Sequence, residues 1–202
     1  MPNPSPQRLG LLGGTFDPPH RGHLAAAVAV REALGLDRVD FLVANDPWQK
    51  SGERDVTPAA VRIEMVHALV DGSEGIDVDD REVRRGGLTY TVETLEEIVR
   101  EMPGTDVFLI VGQDTADRIH TWKRHAEVLA LSTLVVVNRD QNAQHVPPAL
   151  ADARVLFVSM PSVDVSSTDV RAAVAAGNDI VAMTSVGVAE VVRTHGLYGA
   201  IA

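Results

Sequence analysis

Gly13-Gly14-Thr15-Phe16-Asp17-Pro18-Pro19-His20-Arg21-Gly22-His23-Leu24 joins a short apolar run, Arg8 to Leu12, to a segment with helical spacing that begins at Arg21. A glycine pair between a strand and a helix leaves main-chain N–H groups open to a ligand, because glycine admits backbone conformations closed to other residues. The same pair is compatible with a plain tight turn. His20 and His23 sharpen the reading. Three residues apart at a helix start, with Gly22 removing bulk between them, they fall on one side of the first turn, where free N–H groups and the helix dipole favour an anion. Together they read as a phosphate grip. Either histidine alone would read as a solvated or capping residue, and two histidines with no obvious third ligand make a poor transition-metal site.

Working outward, Arg8 to Leu12, Arg38 to Ala44, Thr105 to Val111, Thr133 to Asn138 and Arg154 to Ser159 have the apolar, β-rich character of buried strands. Helical patterns lie between most of them. The first spans about Arg21 to Leu34, with Leu24, Ala27, Val28 and Leu34 as its stripe and Gly35 as its stop. A second takes Pro58 as its first helical residue and continues through Val61, Met65 and Leu69 to Gly72. Thr91 caps a third, whose Val92, Leu95, Ile98 and Val99 share a face before Pro103. This alternation predicts an α/β fold: a doubly wound parallel sheet with helices on both faces. In such a sheet, ligands sit beyond the carboxyl ends of the strands where strand order reverses. The polar segments Asn45 to Thr57 and Asp140 to Pro148 are long enough to serve as binding loops there.

The chain has 202 residues, 45% of them hydrophobic, enough for one domain, residues 1–202, with a core of its own. Residues 1–7 read as a disordered lead-in and 178–202 as a helical tail. With 28 acidic against 18 basic side chains the formal net charge is −10, which argues against nucleic acid as a partner. Any phosphate site must therefore be locally basic. The absence of cysteine excludes disulfides and thiolate zinc sites and fits a reducing compartment, so a cytoplasmic location is expected. The longest apolar stretches, Leu24 to Val30 and Leu129 to Val137, fall far short of a bilayer span, and the first residues lack the pattern of a signal peptide. No membrane association is expected.

Near the other end, Val165-Ser166-Ser167-Thr168-Asp169-Val170-Arg171 leads into a helix-like run that reaches Ala176 before Gly177. Three hydroxyl residues at a helix start, with Arg171 one turn further in, can hold phosphate oxygens; an ordinary Ser/Thr cap has the same pattern. Taken together, Gly14 to His23 and this Ser-Ser-Thr-x-x-Arg resemble the two signatures of the nucleotidyltransferase superfamily with the His-x-Gly-His motif, relatives of the class I aminoacyl-tRNA synthetases. The resemblance implies a Rossmann-like version of the expected sheet. It also implies that a nucleoside triphosphate is joined to a phosphate-bearing acceptor with release of pyrophosphate.

Within that superfamily, the stretch from Leu9 to Tyr198 is most similar to the bacterial nicotinate-nucleotide adenylyltransferases. Asp46-Pro47-Trp48-Gln49-Lys50 resembles the loop that carries the family's phosphate-contacting lysine, and Thr89-Tyr90-Thr91 its Ser-Tyr-Thr motif. Gly112-Gln113-Asp114 with Trp122-Lys123 resembles its Gly-x-Asp and tryptophan segment, and His195-Gly196-Leu197-Tyr198 its tail. Carried over, the resemblance assigns the reacting phosphates to His20, His23, Lys50 and Arg171. It assigns ATP to those histidines and Arg171 with Gly13, Gly14, Thr15, Phe16, Gly112, Asp114, Arg139, Ser166, Ser167 and Thr168. It assigns nicotinate mononucleotide to Thr15, Lys50, Tyr90, Thr91, Asp114 and Trp122.

These assignments make physical sense. Thr91 opens a helix whose N–H groups can receive a carboxylate, Trp122 can stack on a pyridine ring, and Asp114 can accept from ribose hydroxyls. Taken singly, Tyr90 and Trp122 read equally as boundary aromatics, Asp114 as a helix cap and Lys50 as a solvated charge. The sequence departs from the family at Thr89, where serine is frequent, and after Arg139, where Pro-Gly is frequent. Met183-Thr184-Ser185 and Val191-Val192 also replace a frequent Leu-Val-Pro and Tyr-Ile. His67, His120, His125 and His145 are given solvated or structural roles.

The implied reaction is adenylyl transfer from ATP to nicotinate mononucleotide, with Mg²⁺ bound mainly through ATP phosphates and with homo-oligomers possible. Competing readings are another acceptor, such as nicotinamide mononucleotide, phosphopantetheine or a cytidylyl-transfer substrate, and a nucleotide sensor without turnover.

Overall fold

The computed structural model describes residues 7–46, 56–138 and 145–200. Among them, β1 (Arg8–Gly14), β2 (Arg38–Val43), β3 (Ile76–Asp79), β4 (Asp106–Gly112), β5 (Thr133–Asn138) and β6 (Val155–Ser159) form one parallel sheet in the order β3-β2-β1-β4-β5-β6. The helices are α1 (Arg21–Leu34), α2 (Ala59–Val70), α3 (Arg81–Arg85), α4 (Thr91–Glu101), α5 (Gln113–Asp117), α6 (His125–Leu131), α7 (Ser167–Ala175) and α8 (Val186–Thr194). Successive strand residues face opposite sides, so both faces are apolar. On β4, Phe108 and Ile110 pack with Val30 of α1, Met65 of α2, Val170 of α7 and Val188 of α8. Val107, Leu109 and Val111 pack with Leu95 of α4, Ala116 of α5 and Val128 of α6. This is the expected doubly wound, Rossmann-like arrangement.

The sequence patterns place five of the six strands and helices α1, α2, α4 and α7; the differences have local causes. β3 is Ile-Asp-Val-Asp, four residues in which every second one is an acid, too short and too polar to stand out. α3, α5 and α6 span five to seven residues each and carry no two-turn stripe. Pro58 is the residue before α2, with ψ 139°, and not its first residue. Thr91 is the first residue of α4, while Tyr90 takes the extended capping position. On α2 the buried stripe is Arg62, Met65, Val66, Leu69 and Val70, shifted by one position from Val61 and headed by an arginine. α1 ends as expected: Gly35 has φ 59°, a left-handed conformation that glycine adopts without a Cβ clash.

Candidate active site

Strand order reverses between β1 and β4, and a cleft of about 780 Å³ opens at that point beyond the carboxyl ends of the strands. Gly13, Gly14 and Thr15 line it from β1 and its exit, Leu42 from β2, and Val111 and Gly112 from β4. Neither glycine of the pair has positive φ, so the expected conformational reason does not apply. Space is the reason instead. A Cβ on Gly14 would lie 2.8 Å from Phe16 Cζ, whereas one on Gly13 would meet nothing within 4 Å. Gly14 thus makes room for the Phe16 ring, and Gly13 opens onto the cleft.

Phe16 has φ 52°, uncommon for a non-glycine residue, and its ring is held edge-on to His23 with centroids 5.1 Å apart and tilted against Phe41 at 5.2 Å. His23 lines the cleft and His20 does not. His20 stacks behind His23 at a centroid distance of 3.7 Å and is 7% exposed. The His20 main-chain N–H donates to His23 Nδ1 at 3.2 Å. An N–H can only donate, so neutral His23 carries its proton on Nε2 and is a donor at that atom.

The second signature forms the opposite lip. Ser167, Thr168 and Arg171 line the cleft. Ser167 Oγ donates to Pro18 O at 2.8 Å, and Arg171 Nη1 donates to Asp17 O at 2.8 Å, docking α7 onto the loop after β1. Ser166 is absorbed by the cap: its Oγ accepts the Asp169 N–H at 3.2 Å, and its own N–H donates to the Asp169 carboxylate at 2.9 Å. The Ser166 hydroxyl, which donates to the Asp169 carboxylate at 2.5 Å, and the Ser166 N–H, with the nearby His20, hold that carboxyl below the usual carboxylate range.

The third wall belongs to Tyr90 and Thr91 at the start of α4, with Trp122 and Lys123 after α5. Lys123 Nζ lies 3.8 Å from the Tyr90 ring centroid and 2.9 Å from the Glu93 carboxylate. Asp114 does not line the cleft; it is exposed on α5, and its carbonyl accepts from Arg118 Nε at 3.1 Å. Lys50 and Arg139 lie outside the described residues, as do parts of the two long polar segments.

The arrangement has counterparts among known proteins. A cytidylyltransferase-like family model matches residues 11–173. A chain from Methylibium petroleiphilum, described as a "probable nicotinate-nucleotide adenylyltransferase", is 40% identical over 87% of this chain and 83% of its own length. Another so described, from Corynebacterium kroppenstedtii, is 38% identical over 95% of this chain and 90% of its own. The chain belongs to the nicotinate-nucleotide adenylyltransferase family. The fold agrees with the solved structure of Plasmodium falciparum nicotinic acid mononucleotide adenylyltransferase complexed with NaAD: TM-score 0.77 over 95% of this chain and 97% of that one, at 14% identity.

Three groups around this cleft are given no role from the sequence. Arg62, 1% exposed, donates from Nη1 to Thr15 O at 2.8 Å, from Nη2 to Asn45 O at 2.9 Å and from Nε to Thr57 O at 2.8 Å. One guanidinium therefore ties the loop after β1 to the end of β2 and to the entry of α2. Asp17, 2% exposed, accepts from the Tyr198 hydroxyl, so the tail motif closes on the first motif. Glu82 lines the cleft below Thr89 and Tyr90 yet is 2% exposed. Burial pushes its carboxyl up to about 7, against the opposing pull of the Thr94 hydroxyl and Arg85. In the sequence it belongs to Asp79-Asp80-Arg81-Glu82-Val83-Arg84-Arg85, which reads as a solvated charge run. Arg62 had one available signal: its phase, three and seven residues before Met65 and Leu69, is that of the buried stripe.

Proposed function

We infer that this family member transfers the adenylyl group of ATP to nicotinate mononucleotide, yielding nicotinate adenine dinucleotide and pyrophosphate. One observation carries the reading: His23 and the Ser167-Thr168-Arg171 lip face the same cleft as the Tyr90-Thr91 helix start and Trp122. Triphosphate groups and a carboxylated aromatic acceptor thus have adjacent walls. An oxygen of the acceptor phosphate attacks the α-phosphorus in line. As that bond forms, the bond from the α-phosphorus to the oxygen bridging towards the β-phosphate breaks, and its electron pair leaves with pyrophosphate. A phosphate dianion needs little help from a base, so the barrier lies in bringing two anions together and stabilising the displaced charge.

The residues divide that work. His23 donates from Nε2 to a phosphate oxygen, with His20 stacked behind it as the positioning partner. Arg171 and the α7 start hold the triphosphate, with Lys50 and Arg139 as further phosphate-binding candidates. The α4 start receives the pyridine carboxylate, Trp122 stacks on the ring, and the Lys123 ammonium adds positive potential on the same wall. Charge on the triphosphate is partly offset when it carries Mg²⁺, held mainly by phosphate oxygens and water. The described residues contain no group of three or more His, Asp or Glu side chains placed to hold a metal ion by themselves. Among them, too, no helix is long and apolar enough to cross a membrane.

The test is pyrophosphate release from Mg²⁺-ATP with nicotinate mononucleotide, beside nicotinamide mononucleotide and phosphopantetheine. Turnover with the nicotinate substrate well above the other two supports the reading. ATP binding without pyrophosphate from any acceptor replaces it with a sensor.

A further inference from the structure

Glu82 sits in the acceptor side of the cleft, and the transfer set out above does not employ it. Its carboxylate ends a hydroxyl relay. Thr94 Oγ1 donates to Glu82 Oε1 at 2.6 Å, and the Thr94 oxygen accepts from Arg85 Nη2 at 3.0 Å. Thr89 lines the same wall of the cleft, and its hydroxyl oxygen accepts the Asn45 N–H at 3.0 Å. A hydroxyl has one proton, and in its ionised form the Glu82 carboxylate only accepts, so above about pH 7 Glu82 dictates how Thr94 is turned. Two further bonds complete the seam. The Thr89 N–H donates to Asp46 O at 3.2 Å, and Asn45 Nδ2 donates to Gly87 O at 2.8 Å.

We infer that Glu82 is a positioning residue for the acceptor: through Thr94 it fixes the first turn of α4, whose Thr89-Tyr90-Thr91 lead-in is bonded to Asn45 and Asp46 at the end of β2. The start of α4 is thereby presented to the carboxylated ring in one orientation. The inference rests on the reading that the acceptor is nicotinate mononucleotide. It gives the Thr89 hydroxyl a definite task that any β-hydroxyl can perform, since serine offers the same proton and lone pairs. It also gives a reason for a carboxylate where burial opposes one, since an apolar residue at this site would avoid the cost of desolvating a charge.

The test combines steady-state kinetics with amide exchange. Glu82→Gln keeps the shape but sets an NH₂ donor against a threonine proton, and Thr89→Val keeps the volume but removes the hydroxyl. Both are expected to raise the KM for nicotinate mononucleotide about tenfold, with kcat and the KM for ATP changed by less than about threefold. Thr89→Ser restores the parental KM. In the substrate-free protein, the Asn45 and Thr89 amides exchange about tenfold faster in Glu82→Gln and Thr89→Val, at unchanged thermal midpoints. Equal rises in both KM values, a Thr89→Ser variant no better than Thr89→Val, or unchanged exchange would each overturn the inference while leaving the reaction standing. A parent enzyme inert towards nicotinate mononucleotide would overturn the acceptor reading and this inference together.

Discussion

Replacing Arg62 by lysine is the most demanding test of how the site is assembled. The guanidinium donates to three main-chain carbonyls from Thr15, Asn45 and Thr57 at 2.8 to 2.9 Å, and it is 1% exposed. Lysine keeps the charge, but its compact ammonium cannot reproduce a planar fork that reaches three separated segments. At least one buried carbonyl, and up to two, then loses its partner, at about 1–3 kcal/mol each. A loss of about 3 kcal/mol is expected, which for a chain of this length lowers Tm by roughly 6–12 °C. Urea unfolding should move Cm at an unchanged m value, because the exposed surface is the same. Since Thr15 lies on the phosphate loop and Asn45 on the acceptor side, the KM values for both substrates should rise together. A stability loss under about 1 kcal/mol with parental kinetics would refute the reasoning and leave the guanidinium a passenger.

Three further outcomes follow from other contacts. His23→Ala should lower kcat by about a hundredfold or more while weakening ATP binding far less, measured by single-turnover kinetics beside calorimetry; comparable losses would exclude a contact made in the transition state. Gly13→Ala and Gly14→Ala should separate, because a Cβ is unobstructed at Gly13 but 2.8 Å from Phe16 Cζ at Gly14: thermal melts should leave the first near the parental Tm and lower the second. Asp40, 3% exposed, has its carboxyl raised from 3.8 to about 6 by burial despite Arg38. A folded-state pKa above the unfolded one lends stability at low pH that is lost as pH rises through about 6, so Asp40→Asn should gain on the parent between pH 4 and 7 by about 2 kcal/mol in urea titrations.

What was legible in the sequence is what local patterning encodes. The run from β1 through His23 into α1 combines a buried apolar stretch, a glycine pair and a stop at Gly35, each a local signal; the structure returns the bounds of α1 and the start of β1, which runs on through Gly14. The glycine pair reads as a point where a ligand approaches the backbone, whereas the constraint seen at Gly14 is the ring of Phe16 two residues on. Such a contact depends on a side-chain direction that no sequence pattern carries. Arg62 and Glu82 were hidden for a second reason. Charged residues are mostly exposed, so a guanidinium enters a core only where tertiary structure collects carbonyls around it. Those carbonyls belong to segments up to 47 residues away from Arg62, and main-chain oxygens have no residue signature. Tyr198, 181 residues from Asp17, was visible as part of a motif but its target was not.

The same distinction resolves how a chain of net charge −10 can gather two anionic substrates. Side-chain cations at the cleft are few among the described residues, and those present are engaged: Arg171 with Asp17 O and Lys123 with Glu93. Among the described residues, further positive potential comes from the backbone. α1, α4 and α7, of 14, 11 and 9 residues, direct their N-terminal turns at one cleft through His23, Thr91 and Ser167. Each such terminus acts as about half a positive charge fixed in place, which neither titrates nor has to be drawn from a flexible side chain. Arg62 sits behind Thr15 with its charge sealed from solvent. A site built this way is preorganised and little screened, since salt weakens exposed charges far more than buried ones. An acidic exterior is therefore compatible with the anion binding proposed for the cleft, because three helix starts and one buried arginine add fixed positive potential there whatever the surface composition.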